Sequence, residues 1–123
     1  MDDPLLSERQ RLADLLGGDE LEAHASVPEP VNGPVALVLP GDPYLQPGAR
    51  FGLWRLGHAI TLVAEPADNE VEAAELDRLI LRAVRVLRDQ GLPVQVSGPR
   101  RVGTSNGDAL AVVITTTTEI RLS

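Results

Sequence analysis

A chain of 123 residues, 43% of them hydrophobic, is long enough to bury one core and short enough to be a single domain. Its net charge of -7, from 11 basic and 18 acidic residues, argues against a protein that grips nucleic acid by its phosphates, though not against one that DNA passes without sticking. Cysteine is absent, which excludes disulfides, thiolate metal sites and cysteine nucleophiles. Aromatics are only 2%, so the core must come from Leu, Val, Ile and Ala, and Tyr44, Phe51 and Trp54 fall together in one stretch that reads as an anchor. No apolar run approaches the roughly 20 residues that span a bilayer. The start, Met1-Asp2-Asp3-Pro4, is acidic where a signal peptide is basic, so the expectation is a protein used in the cytoplasm where it is made.

Residues Leu5 to Leu16 predict a helix, with Leu5, Leu12, Leu15 and Leu16 near one face, Pro4 in its first turn and Gly17-Gly18 as its stop. From Asp19 to Pro34 the chain is acidic and then proline-rich. It reads as an extended, ordered arm rather than a flexible linker, with room for a short strand near Glu22–Val27. Val35 to Leu39 predict a buried strand, and Gly41 to Gly48 a loop. Arg50 to Ala64 predict a long strand in which Trp54, Leu56, His58, Ile60 and Leu62 share one face, with Gly52 and Gly57 as bulges or points of close backbone approach.

Glu70 to Gln90 predict the main helix, capped by Asp68 or Asn69 and stopped by Gly91 and Pro93. Its apolar face is Val71, Ala74, Leu76, Leu79, Ile80, Ala83, Val84 and Leu87, with Glu75, Arg78, Arg82, Arg85 and Asp89 opposite. Leu92 to Ser97 read as a short strand, Gly98 to Asp108 as a loop carrying Arg100 and Arg101, and Ala109 to Leu122 as the last strand, where four threonines are good strand formers. The sum is an α+β fold: a small, mostly antiparallel sheet with two helices packed on one face. Along the chain it divides into a helix over 1–18, an arm over 19–34, and the sheet and main helix over 35–123.

The residues offer no chemistry. There is no phosphate-cradling glycine loop and no nucleophile elbow. His24 and His58 lack metal-ligand spacing, and His58 on an apolar strand face reads as structural. Asp68-Asn69-Glu70 lacks the glycine and distal glutamate of a calcium loop, and the pairs Glu70/Glu72 and Glu20/Glu22 read as solvated faces. Arg78, Arg82 and Arg85 are interleaved with acids and read as a salt-bridged face. The expectation is a non-enzyme with no cofactor and no metal.

Val38-Leu39-Pro40-Gly41-Asp42-Pro43-Tyr44-Leu45, then Phe51-Gly52, Leu62-Val63-Ala64 and Leu76-Asp77-Arg78-Leu79-Ile80, resemble the tail terminator proteins of actinobacterial long-tailed phages. The resemblance covers about Leu12 to Arg121, and the Pro-Gly-Asp-Pro-Tyr box is its most specific part. It implies a virion protein that forms a ring, commonly of six subunits, on the head-proximal end of the tail tube. The ring would be assembled in the host cytoplasm, stop tube polymerisation and meet the head-side connector. Double-stranded DNA would pass through the lumen without specific binding or a membrane step, and an acidic lumen wall would let it slide.

Under that resemblance Asp42, Pro43 and Tyr44 form a stiff loop that is either a contact anchor or a local turn with Tyr44 packed on its own sheet. Arg50 and Arg55 would pair with acids of a neighbouring subunit. Arg100 and Arg101, freer on a loop, would face the tube or the connector. The competing readings are another neck, head-closure or tail-completion subunit, and a small α/β regulatory or ligand-binding domain.

Overall fold

The computed structural model describes residues 3–28 and 30–122. Helix α1 spans Pro4–Leu16. The Asp3 side chain caps it by accepting from the Leu5 and Leu6 amides at 3.0 and 3.2 Å, leaving Pro4 at the position that has no N–H to satisfy. Strand β1 (Glu22–His24) runs parallel to β2 (Val35–Pro47), which turns antiparallel into β3 (Leu53–Val63). Helix α2 (Asn69–Asp89) follows, then β4 (Gln95–Val96), β5 (Arg100–Thr104) and β6 (Gly107–Arg121). The sheet is mixed and mostly antiparallel, ordered β1-β2-β3-β6-β4, with β5 also paired to β6.

Both helices cover the same face. Leu12 and Leu16 of α1 and Leu76, Leu79, Ala83 and Leu87 of α2 join Ala36, Val38, Ile60, Leu62, Val112 and Ile114 in one core. Register explains the membership: Ala36 faces Leu62, Val38 faces Ile60, and these face Val112 and Ile114 on β6. The opposite face has a smaller cluster of Val35, Leu37, Val63, Ala109 and Ala111, covered in part by Val31 from the arm. An amide–carbonyl bond from Ser105 to Val31 (3.1 Å) ties Val31 to the β5–β6 turn.

Three expectations fail on tertiary grounds. Gly41 to Gly48 is not a loop: β2 continues through Pro47, with an irregularity between Pro40 and Leu45 after which Leu45, Gln46 and Pro47 pair with Leu56, Arg55 and Trp54. Gly57 makes room for it, since a Cβ there would lie 2.2 Å from the Pro43 carbonyl oxygen. Gly98 to Asp108 is not a loop either: Arg100–Thr104 forms β5 against Ala111–Gly107. At the start of α2 the faces are exchanged, with Val71 61% exposed and Glu72 fully buried. Leu76, Leu79, Ala83 and Leu87 hold the predicted apolar face from there on.

Candidate functional site

The strands divide the molecule into two ends. The upper end holds the first half of β2, the last half of β3 and the β5–β6 turn. The lower end holds the β2–β3 turn and the last half of β6. At the lower end only β2, β3 and β6 remain paired, because β1 reaches only Val35–Leu37 and β4 only Ile114–Thr115. Both sheet edges are therefore open there. The β2 edge carries Pro40, Pro43 and Pro47, which donate no N–H and blunt strand addition. The β6 edge, from Thr116 to Arg121, has no proline; Thr116 donates to the Pro93 carbonyl, and the threonines beyond it favour a strand.

The candidate contact residues fall into two groups. Asp42, Pro43, Tyr44, Arg50 and Arg55 all lie in the lower half. Asp42, Pro43, Arg50 and Arg55 are exposed, whereas Tyr44 is half-buried. Its ring sits under the Arg9 guanidinium at 5.9 Å, and its hydroxyl accepts from Arg9 Nη1, so α1 holds the tyrosine in place. Arg55 stands on the helix-free face, opposite Gln46 and Glu119.

Arg100 and Arg101 lie apart from these, on β5. Arg101 is already engaged within its own chain: Nη1 donates to Glu72 Oε1 at 2.8 Å and Nη2 to Asn69 Oδ1 at 3.0 Å. A buried carboxylate without a cation would cost several kcal/mol, so this bond latches the β5–β6 hairpin to α2. Arg100 remains exposed.

Sequence reasoning missed a polar cluster beneath α1. Glu8, only 11% exposed, takes a bidentate bond from Arg11 at 2.6 and 2.9 Å. That bond holds its carboxyl below the usual range. His58 is 1% exposed and shares a 2.9 Å hydrogen bond with Thr118 across the strand pair. Burial pushes its pKa down to about 4, so it is neutral near pH 7.

Beside it, a shallow cavity of about 290 Å³ is bordered by Gly41, Pro43, Gly57, His58, Gln95 and Thr116. Its polar lining includes Asp42, Gln46 and the threonines Thr115, Thr116 and Thr117. Among the described residues, no three His, Cys, Asp or Glu side chains converge as metal ligands do. No described helix is long and apolar enough to cross a membrane.

Charge is distributed unevenly. The strands balance, with Glu22, Asp42, Asp108 and Glu119 against Arg55, Arg100, Arg101 and Arg121. The surplus acids lie largely in connectors, among them Asp19, Glu20, Glu65 and Asp68, which gather at the upper end. The lower end carries Arg50, Arg55 and Arg121 together with Asp42 and Glu119. Compared with known proteins, the chain matches no family profile and has no significant sequence match among curated proteins.

Proposed function

We propose that this chain is a structural, non-enzymatic subunit of a phage tail: a terminator that closes into a ring on the head-proximal end of the tail tube. The observation that carries the reading is the asymmetry of the open sheet. One free edge is blunted by Pro40, Pro43 and Pro47, and the other, Thr116–Arg121, is left available. With the other edge blunted, the β6 edge can serve a ring by taking a different surface of the next copy, since ring contacts are heterologous and head-to-tail. The Pro-Gly-Asp-Pro-Tyr resemblance supplies the tail context. In this reading the partners are further copies of the chain, the tail tube protein and the head-side connector.

DNA would pass without specific binding. Asp42 and Arg55, exposed beside the blunted edge, are the contact residues this reading favours; Arg101 is assigned to holding its own hairpin.

Electron microscopy of the purified protein mixed with the tail tube protein encoded nearby tests the reading. Rings capping tube ends, with tubes shortened, are the expected outcome. Uncapped tubes of unchanged length would overturn it in favour of another neck or tail-completion subunit, or of a small regulatory domain.

A further inference from the structure

The β2–β3 turn is a finger with an aromatic tip. Phe51, the only phenylalanine in the chain, is 105% exposed. The turn beneath it is nonetheless rigid: Gly48 donates to the Leu53 carbonyl at 2.8 Å, Leu53 to that of Arg50 at 3.0 Å, and Leu122 to that of Gly52 at 3.2 Å. Gly52 takes a φ of +86°, which presents Phe51 outward at little backbone cost. The charges at the finger are basic. Arg50 precedes the tip, and the Arg121 guanidinium lies 3.2 Å from where a Cβ at Gly52 would sit. An ordered turn that holds its aromatic fully in water gains nothing within its own chain.

At the other end of the molecule lies a shallow groove with one apolar wall. Val27, Pro28, Pro30 and Val31 of the arm form one wall, and Gly103–Ser105 at the β5–β6 turn form the other. Val27 is 56% exposed. The surroundings are mainly acidic: Asp108 faces Gly103 across the hairpin, and Glu65 and Asp68 lie in the connector that backs Gly33. Arg100, further down β5, is the free cation on that strand. Finger and groove sit at opposite ends of the strands, so one chain cannot join its own two features.

We infer that the Phe51 finger of one copy seats in the Val27–Val31 groove of a second copy, with Arg50 and Arg121 against the acidic upper end. The apolar tip meets the apolar wall of the arm, and the basic flank meets the acidic rim, so attraction and register agree. The contact uses a different surface on each partner, so it propagates head to tail. It is independent of whether the chain caps a tail tube.

Because the chain has no native cysteine, the contact can be trapped at chosen positions. Ala49→Cys and Ser26→Cys proteins, which keep Phe51 and Val27 and carry exposed thiols beside them, are mixed and treated with a short bismaleimide. A mixture of Ala49→Cys with Leu81→Cys, exposed in the middle of α2, measures random collision. The expected result is an Ala49–Ser26 heterodimer at least tenfold above that control. A yield equal to the control, or Ala49–Ala49 homodimers as the main product, overturns the proposal. Sedimentation gives a second readout: the wild-type chain should associate with rising concentration, and Phe51→Asp should weaken that association at least tenfold. Association unchanged by Phe51→Asp, or a wild-type chain that stays monomeric throughout, counts against it.

Discussion

The two ends of the sheet are built from the same three long strands and differ in nearly everything else. At the upper end the strands read Val35–Leu39, Ala59–Val63 and Ala109–Ile114, and apolar groups are buried on both faces. At the lower end the same strands offer threonines, arginines, a glutamate and a neutral histidine, with both edges open. Burial on two faces is where the stabilising free energy lies. The open end buries fewer apolar groups, Leu56 among them, and its outward side chains such as Arg50, Phe51 and Arg55 are left to serve contacts.

The sharpest way to break this contrast is to empty the upper core. Leu62→Ala removes a fully buried side chain between both helices and β6 and should cost about 3 kcal/mol in denaturant unfolding. A cost below about 1 kcal/mol would mean that the upper half does not carry the stability assigned to it.

The next test concerns the latch between β5 and α2. Arg101→Ala strands the buried Glu72 carboxylate and should cost about 2 kcal/mol, while Arg100→Ala beside it should cost under about 0.5 kcal/mol. Equal effects would remove the distinction between a structural and a free arginine.

His58 makes the lower half sensitive to acid. Between pH 6.5 and about 4 the unfolded chain binds a proton there that the folded chain does not. Stability is therefore fully present above pH 6.5 and falls as pH drops through that window, by about 3 kcal/mol at most. Glu8, held below its usual 4.5, adds a further loss at still lower pH. His58→Gln should flatten the slope between pH 4 and 6.5. An unchanged slope would place the titrating group elsewhere.

The smallest expected effect is at the finger. Phe51→Ala should leave monomer stability within about 0.5 kcal/mol of wild type, because the ring buries nothing in its own chain. A larger loss would show the finger packed within the fold and would undercut its role as a contact.

The elements with a strong period were legible without coordinates. Leu76, Leu79, Ala83 and Leu87 announce α2, and Leu12 and Leu16 the packing stripe of α1. Trp54, Leu56, His58, Ile60 and Leu62 alternate as β3 requires, and the structure keeps them on one face. Hydrophobic spacing suffices in these cases because each element buries one stripe, whatever its partner is.

What the local sequence could not decide were features made by distant partners. Pro40-Gly41-Asp42-Pro43 has the composition of a loop and becomes strand only because β3 supplies a partner and Gly57 makes room. Arg100–Thr104 has no alternating pattern and is a strand because β6 is long enough to fold back against it. Glu72 reads as a surface residue until Arg101, distant in sequence, brings a charge to it.

The candidate contact residues divide the same way: composition singled out the Tyr44–Trp54 stretch, but only the fold ties Tyr44 to Arg9 and leaves Phe51 in water. Composition, charge and periodicity thus determined an α+β domain with one apolar core, because burial follows the stripe each segment carries. Which residues stay exposed, which charges are already paired and which edge remains open were decided by the tertiary structure alone, because each depends on a partner far away in the chain.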